Sequence, residues 1–182
     1  MKEPILSVRK IVIAGVLSAI AILLGWTRLG FIPVPTVAGD ATIMHVPAII
    51  GGILEGPVVG GLVGFIFGVF SFLQATVPAF KDPLVAILPR IFIGITAWLT
   101  YAGLKRFNEY LAIASAAVVG TLTNTVLVLG MAVLRGYLPL VAIPPIIPQA
   151  LAEVVIAVVI TLAVVVAWKR IETGIGHGQA KM

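Results

Sequence analysis

The chain has 182 residues, of which 60% are hydrophobic and 10% charged, where a soluble domain carries about a quarter charged residues. It contains no cysteine, which excludes disulfides, thiolate nucleophiles and cysteine-held metals. The formal net charge is +5. Its bases cluster at the ends of apolar runs, a pattern that points to membrane orientation rather than to nucleic acid.

At about 20 apolar residues per crossing helix, this length leaves room for about six spans and no separate globular domain. The expectation is an all-α membrane protein: six transmembrane helices in a single bundle, one integral membrane domain over residues 1–182. Lipid-facing strands alternate apolar and polar residues, whereas Ile11–Trp26 and Val154–Trp168 are apolar almost throughout.

The first apolar segment covers about 9–27. Lys2, Arg9 and Lys10 precede it as in a signal peptide, but it ends in Gly25-Trp26-Thr27-Arg28 rather than a small-residue cleavage site, so it reads as a retained span. Segments at about 43–55 and 57–75 meet at Glu55-Gly56-Pro57. Glycine ends a helix there and proline opens the next, which makes a tight helical hairpin. Read as one long span, the two give five crossings in total; six is the preferred count. The remaining segments are about 83–104, 109–134 and 143–168.

With both termini cytoplasmic, Lys2, Arg9, Lys10, Lys105, Arg106, Lys169, Arg170 and Lys181 lie inside, and Arg28, Lys81, Arg90 and Arg135 outside. That division, eight against four of the 12 bases, follows the positive-inside rule. The outer connections 27–42, 76–82 and 136–142 are the longer ones. The first of them, with Gly30, Pro33, Pro35 and Gly39, reads either as a lid over a site or as a plain connector. No internal repeat stands out, which counts against secondary carriers built on inverted repeats.

Two patterns of small residues follow helical spacing. Gly60, Gly64 and Gly68 share one face of the third span and suit close packing inside the bundle. Ala14 and Ser18, flanked by Gly15 and Ala19 on the first span, suit either internal packing or a partner helix.

Polar groups inside a membrane are costly and mark functional candidates. At about 1.5 Å per residue, His45, Arg90, Asn124, Gln149 and Glu153 fall at a similar height in the outer half. Together they describe an outward pocket roofed by the 27–42 loop with Trp26, Phe31 and Asp40. Several roles remain open from sequence. Arg90 and Glu153 either neutralise one another or meet a ligand. His45 caps its helix, bonds a loop carbonyl, or serves the pocket. Asn124 and the neighbouring Thr121, Thr123 and Thr125 bond helix backbone or ligand. Gln149 follows Pro144, Pro145 and Pro148 and either satisfies carbonyls they release or lines the site.

No catalytic constellation is present: neither a zinc motif, nor a nucleophile elbow, nor a phosphate-cradling loop occurs. Two histidines, one being His177 in a polar tail, make a poor metal site. The chain reads as a non-enzyme without cofactor or metal, and active transport by it requires an ion gradient or a partner.

The stretch Ala41-Thr42-Ile43-Met44-His45-Val46-Pro47-Ala48-Ile49-Ile50-Gly51-Gly52-Ile53-Leu54-Glu55-Gly56-Pro57, continuing through Gly60, Gly64 and Gly68 to Ser71, resembles the substrate-binding S components of energy-coupling factor vitamin transporters. Pro89-Arg90-Ile91-Phe92-Ile93-Gly94 and the small stripe of the first span fit the same family. The resemblance implies a multi-pass protein of a prokaryotic plasma membrane that captures a vitamin at its outer face. The candidate ligand residues in this chain are Asp40, Thr42, His45, Arg90, Asn124, Gln149 and Glu153. It further implies a transmembrane coupling subunit and two cytoplasmic ATPases as partners. In the family an alanine-x-x-x-alanine pattern on the first helix faces the coupling subunit. Ala14 and Ser18 match it with one serine, and Gly15 and Ala19 border it.

Riboflavin-specific members share the stretch seen at Val46–Gly52, but their Asp-Phe-Ser-Asp lead-in is replaced here by Thr42-Ile43-Met44-His45. Pantothenate-specific members have a lead-in closer to Thr-Ile-x-His-aliphatic-Pro. Largely apolar pocket residues with amides and hydroxyls suit a flat neutral ring, so riboflavin is the expectation and pantothenate the alternative. A pantothenate carboxylate requires an unpaired cation, and Arg90 is the only deep one. A self-sufficient carrier using Glu153 as a proton or sodium site is the reading from another class.

Overall fold

A computed structural model describes residues 7–33 and 40–179, with side chains through Glu172. Lys2, Pro35, Gly39 and Lys181 lie outside the described residues, as does the side chain of His177. The chain is helical almost throughout. Helix α1 spans Val8–Trp26, and Ser7 caps it by accepting from the Lys10 N–H. After α1, Arg28 turns the chain in the left-handed region at φ 60°, which few residues other than glycine adopt.

The connection that follows corrects the all-α expectation. Strands β1 (Phe31–Pro33) and β2 (Asp40–Thr42) pair antiparallel, Phe31 opposite Thr42 and Pro33 opposite Asp40. Helices α2 (Val46–Glu55) and α3 (Pro57–Leu73) follow, joined by Gly56 at φ 98°. That positive φ is open to glycine, and Pro57 starts the next helix without needing an N–H. A 3₁₀ turn (Pro78–Lys81) and the short α4 (Pro83–Ala86) lead into α5 (Leu88–Leu104). Asn108 caps α6 (Glu109–Leu134), accepting from the Leu111 N–H at 3.0 Å. Two 3₁₀ turns (Leu140–Ala142 and Pro144–Ile146) precede α7 (Ile147–Gln179).

Among the described residues four helical stretches are long and apolar enough to cross a membrane: Val8–Trp26, Pro83–Leu104, Glu109–Leu134 and Leu140–Glu172. The other two apolar helices, α2 and α3, are shorter. Ten residues of α2 reach about 15 Å, half of a hydrocarbon core of about 30 Å. Every residue from Val46 to Ile53 is buried, because α1, α3, α5, α6 and α7 all pack on this helix. It is the centre of the bundle, shielded from lipid by its neighbours. The large exposed apolar side chains, such as Ile11, Leu99, Val126 and Val155, lie on the outer surface.

Glycines set the closest helix contacts. A Cβ on Gly52 would stand 2.3 Å from the Gly94 carbonyl oxygen, and one on Gly94 2.3 Å from the Gly60 carbonyl carbon. Close backbone approach is what holds helices together where lipid supplies no hydrophobic drive. The Gly60, Gly64 and Gly68 face therefore packs within the bundle, against α2 and the α4–α5 segment.

Ala14 and Ser18 turn inward and are buried, whereas Gly15 and Ala19 are exposed. The expected four-residue partner face thus divides: one pair serves internal packing, the other faces outward. At the end where α2 and α5 finish, Arg9 bridges Glu55 at 2.9 Å and Glu172, and Lys169 contacts both Glu109 and Tyr101.

Candidate functional site

The opposite end holds a half-enclosed cavity of about 600 Å³. It lies where α1, α3 and α6 finish and α2, α5 and α7 begin, so their terminal turns converge on it. Five of the seven expected ligand residues line it: Thr42, Arg90, Asn124, Gln149 and Glu153. Trp26 and Phe31, expected as part of its roof, line it too.

Arg90 stands in the first turn of α5 and is only 4% exposed. Its Nη1 donates to the Val85 carbonyl at 2.5 Å, and its guanidinium lies 5.0 Å from the Phe80 ring centroid and 5.7 Å from that of Phe67. Guanidinium groups favour the negative face of such rings. Its Nε is buried and has no hydrogen-bond partner among the described residues. Among the described residues no ion pair involves Arg90; the pairs are Arg9–Glu55, Arg9–Glu172, Arg135–Asp82 and Lys169–Glu109. Mutual neutralisation of Arg90 and Glu153 is therefore not what the structure shows.

Glu153 on α7 is 6% exposed and takes both donors of one residue on β2. The Thr42 N–H donates to its Oε1 at 2.8 Å and the Thr42 hydroxyl at 3.2 Å. One turn earlier, Gln149 Nε2 donates to the Asp40 carbonyl at 2.6 Å. Residues four apart share a helix face, so α7 grips strand β2 at two points. The carbonyl that Gln149 satisfies belongs to the ribbon, not to its own proline-bearing turn. Asn124, on α6, which packs against α5 and α7, has a buried Oδ1 without a partner among the described residues.

Two expected residues stand apart from the cavity lining. Asp40 is exposed on β2 and contributes its backbone carbonyl to Gln149. His45 is fully buried and meets the Thr121 hydroxyl through Nε2 at 3.0 Å, making no side-chain cap to α2. Thr123 and Thr125 donate to the carbonyls of Val119 and Thr121 in their own helix.

Several lining residues went unremarked as ligand candidates in the sequence: Arg28, Phe67, Phe70, Ser71, Gln74 and Phe80. Phe67, Phe70, Ser71 and Gln74 recur at three- and four-residue steps, a helical face that passes as ordinary apolar packing in so hydrophobic a segment. Arg28 reaches the mouth through a backbone turn that composition does not signal. Among the described residues the charged ones in the lining are Arg28, Arg90 and Glu153, a formal charge of +1 from two cations and one anion. Among the described residues no group of three or more metal-ligating side chains occurs.

A half-enclosed, aromatic-lined cavity with a few convergent polar groups at one end of a helical membrane bundle is the arrangement of a small-molecule binding protein. The family model described as "ECF transporter, substrate-specific component" matches residues 9–165, and the chain belongs to that family. It is a non-enzymatic, multi-pass protein of the prokaryotic plasma membrane. A curated relative is the pantothenic acid transporter PanT of Lactococcus lactis subsp. cremoris (strain MG1363), 32% identical over 152 residues, with 69% of this chain and 76% of that protein covered.

Proposed function

We propose that this chain is the substrate-binding component for pantothenate, in place of the riboflavin favoured on sequence. The observation that carries this reading is Arg90, a buried guanidinium facing the cavity with no carboxylate paired to it. An isolated buried charge is expensive unless something compensates it, and a ligand carboxylate does so bidentately. The formal charge of +1 across the lining residues suits a ligand of charge −1 better than a neutral flavin. The likeness to a pantothenic acid transporter agrees.

Riboflavin stands as the second reading, on the aromatic side chains Trp26, Phe31, Phe67, Phe70 and Phe80 around the cavity. Calorimetric titration of the detergent-purified protein with each vitamin separates the two. Pantothenate binding that falls by about 30-fold or more in Arg90→Gln, as expected when one partner of a buried charge pair is removed, supports the proposal. A yellow preparation with flavin absorbance and no pantothenate binding overturns it.

The same proposal includes an outward-facing cavity, cytoplasmic termini, and a transmembrane coupling subunit with two ATPases. The small outward face of Gly15 and Ala19 supports a partner helix, since such faces permit close approach in lipid. Uptake driven by a proton or sodium gradient in vesicles holding this chain alone would instead mark a self-sufficient carrier.

A further inference from the structure

The cavity lining carries charges of both signs, Arg28 and Arg90 against Glu153. Arg90 stands on α5 and Glu153 on α7, and α6, packed against each of those helices, contributes Asn124 to the same lining. Among the described residues neither Arg90 nor Glu153 is paired with an opposite charge. Glu153 accepts from Thr42, whose two donors both reach Oε1, and the Gln149 side chain one turn earlier also lies within reach of it. A carboxylate offers about four acceptor sites, so these neighbours leave it able to take more from a ligand.

We propose that Glu153 is the specificity-determining residue of this site: it receives the hydroxyl end of the ligand and excludes ligands that carry a second anion there, phosphate monoesters foremost. This rests on the pantothenate reading, in which the carboxylate sits at Arg90 and the two hydroxyls lie at the far end of the molecule. Hydroxyl donors complete the Glu153 shell. A phosphate on the primary hydroxyl removes one donor and sets a dianion against a buried carboxylate. Turning the ligand around does not help, because its carboxylate then meets Glu153. Salt does not screen a buried pair of charges well, and juxtaposed like charges cost several kcal/mol. The component would thus admit the free vitamin and refuse its phosphorylated form.

Three ligands test this on the purified full chain: pantothenate, its phosphate monoester at the primary hydroxyl, and the corresponding dimethyl phosphate triester, which keeps the carboxylate but carries no charge on the phosphate and is the bulkier of the two esters. In the wild type the monoester should bind about 100-fold more weakly than pantothenate, and the triester at least about ten-fold more tightly than the monoester. In Glu153→Gln, whose amide oxygen can still accept from Thr42, the preference for pantothenate over the monoester should shrink by about ten-fold or more. Equal exclusion of monoester and triester by the wild type makes the barrier steric and overturns the proposal without recourse to any variant. An unchanged preference in a Glu153→Gln protein that still binds pantothenate overturns it as well. No pantothenate binding by the wild type overturns the parent reading and this one with it; pantothenate binding without charge discrimination overturns this one alone.

Discussion

Gly64 lies directly beneath the backbone of Arg90: a Cβ at position 64 would stand 2.0 Å from the Arg90 carbonyl oxygen. The contact is with backbone, which no side-chain rotation relieves. A missing methyl on α3 thus sets how far the first turn of α5, and with it the guanidinium, enters the cavity.

Gly64→Ala should lower stability by about 1–3 kcal/mol, the usual cost of overpacking, and weaken ligand binding by displacing Arg90. Gly103→Ala, where a Cβ meets nothing within 4 Å, should leave both unchanged or raise stability by up to about 1 kcal/mol. Thermal melts in detergent and calorimetric titration of the two variants check the contrast.

Asn124→Ala separates a binding role from a packing role. Among the described residues the Asn124 Oδ1 is buried without a hydrogen-bond partner, so its removal should cost the fold no hydrogen bond. Ligand affinity should fall by the worth of one buried hydrogen bond, about 1–3 kcal/mol, while the melting temperature of the ligand-free protein holds or rises. A lower melting temperature with unchanged affinity would assign Asn124 to packing.

Asp82 caps α4 through the Leu84 N–H at 3.0 Å and pairs with Arg135 Nε at 2.7 Å, tying the α3–α5 connection to the end of α6. The Arg135 side chain holds the Asp82 carboxyl below its ordinary value, with the Leu84 N–H assisting. A depressed carboxyl contributes stability that is present above its unfolded value and is lost as pH falls through the folded one. Melts taken from pH 7 downward should show a wild-type advantage over Asp82→Asn that persists at neutral pH and disappears in acid. Arg135 is half exposed, so added salt should reduce the advantage.

The two halves of the small-residue face on α1 should respond oppositely. Gly15→Leu with Ala19→Leu enlarges an exposed surface, so ligand affinity of the isolated protein should hold while copurification with a coupling subunit and ATP-dependent uptake are lost. Ala14→Leu with Ser18→Leu forces bulk into buried positions and should lower the melting temperature by itself. Normal uptake by the first double variant would remove that face from the docking surface.

Much of this was legible in the sequence. Hydropathy is a local sum over a window, so the apolar segments and the break at Gly56-Pro57 could be read one stretch at a time. Rise per residue then put His45, Arg90, Asn124, Gln149 and Glu153 at one height; the last four share a cavity lining and His45 does not. The ribbon of Phe31–Pro33 with Asp40–Thr42 was hidden, because strand pairing joins residues across a gap and three-residue strands carry almost no periodicity.

The sequence by itself determined that this is a helical membrane protein and where along each helix its polar groups stand, since both depend only on composition and rise. Tertiary structure alone decided how each helix is turned about its axis. That rotation buried Ala14 and Ser18 while exposing Gly15 and Ala19, and set His45 against Thr121 outside the cavity lining. It also decided which partner each charge found, joining Glu153 to Thr42 and leaving Arg90 against Val85 and two phenyl rings. Pairing in a bundle depends on which neighbours pack against a helix, and that is a property of the assembled core rather than of any one segment.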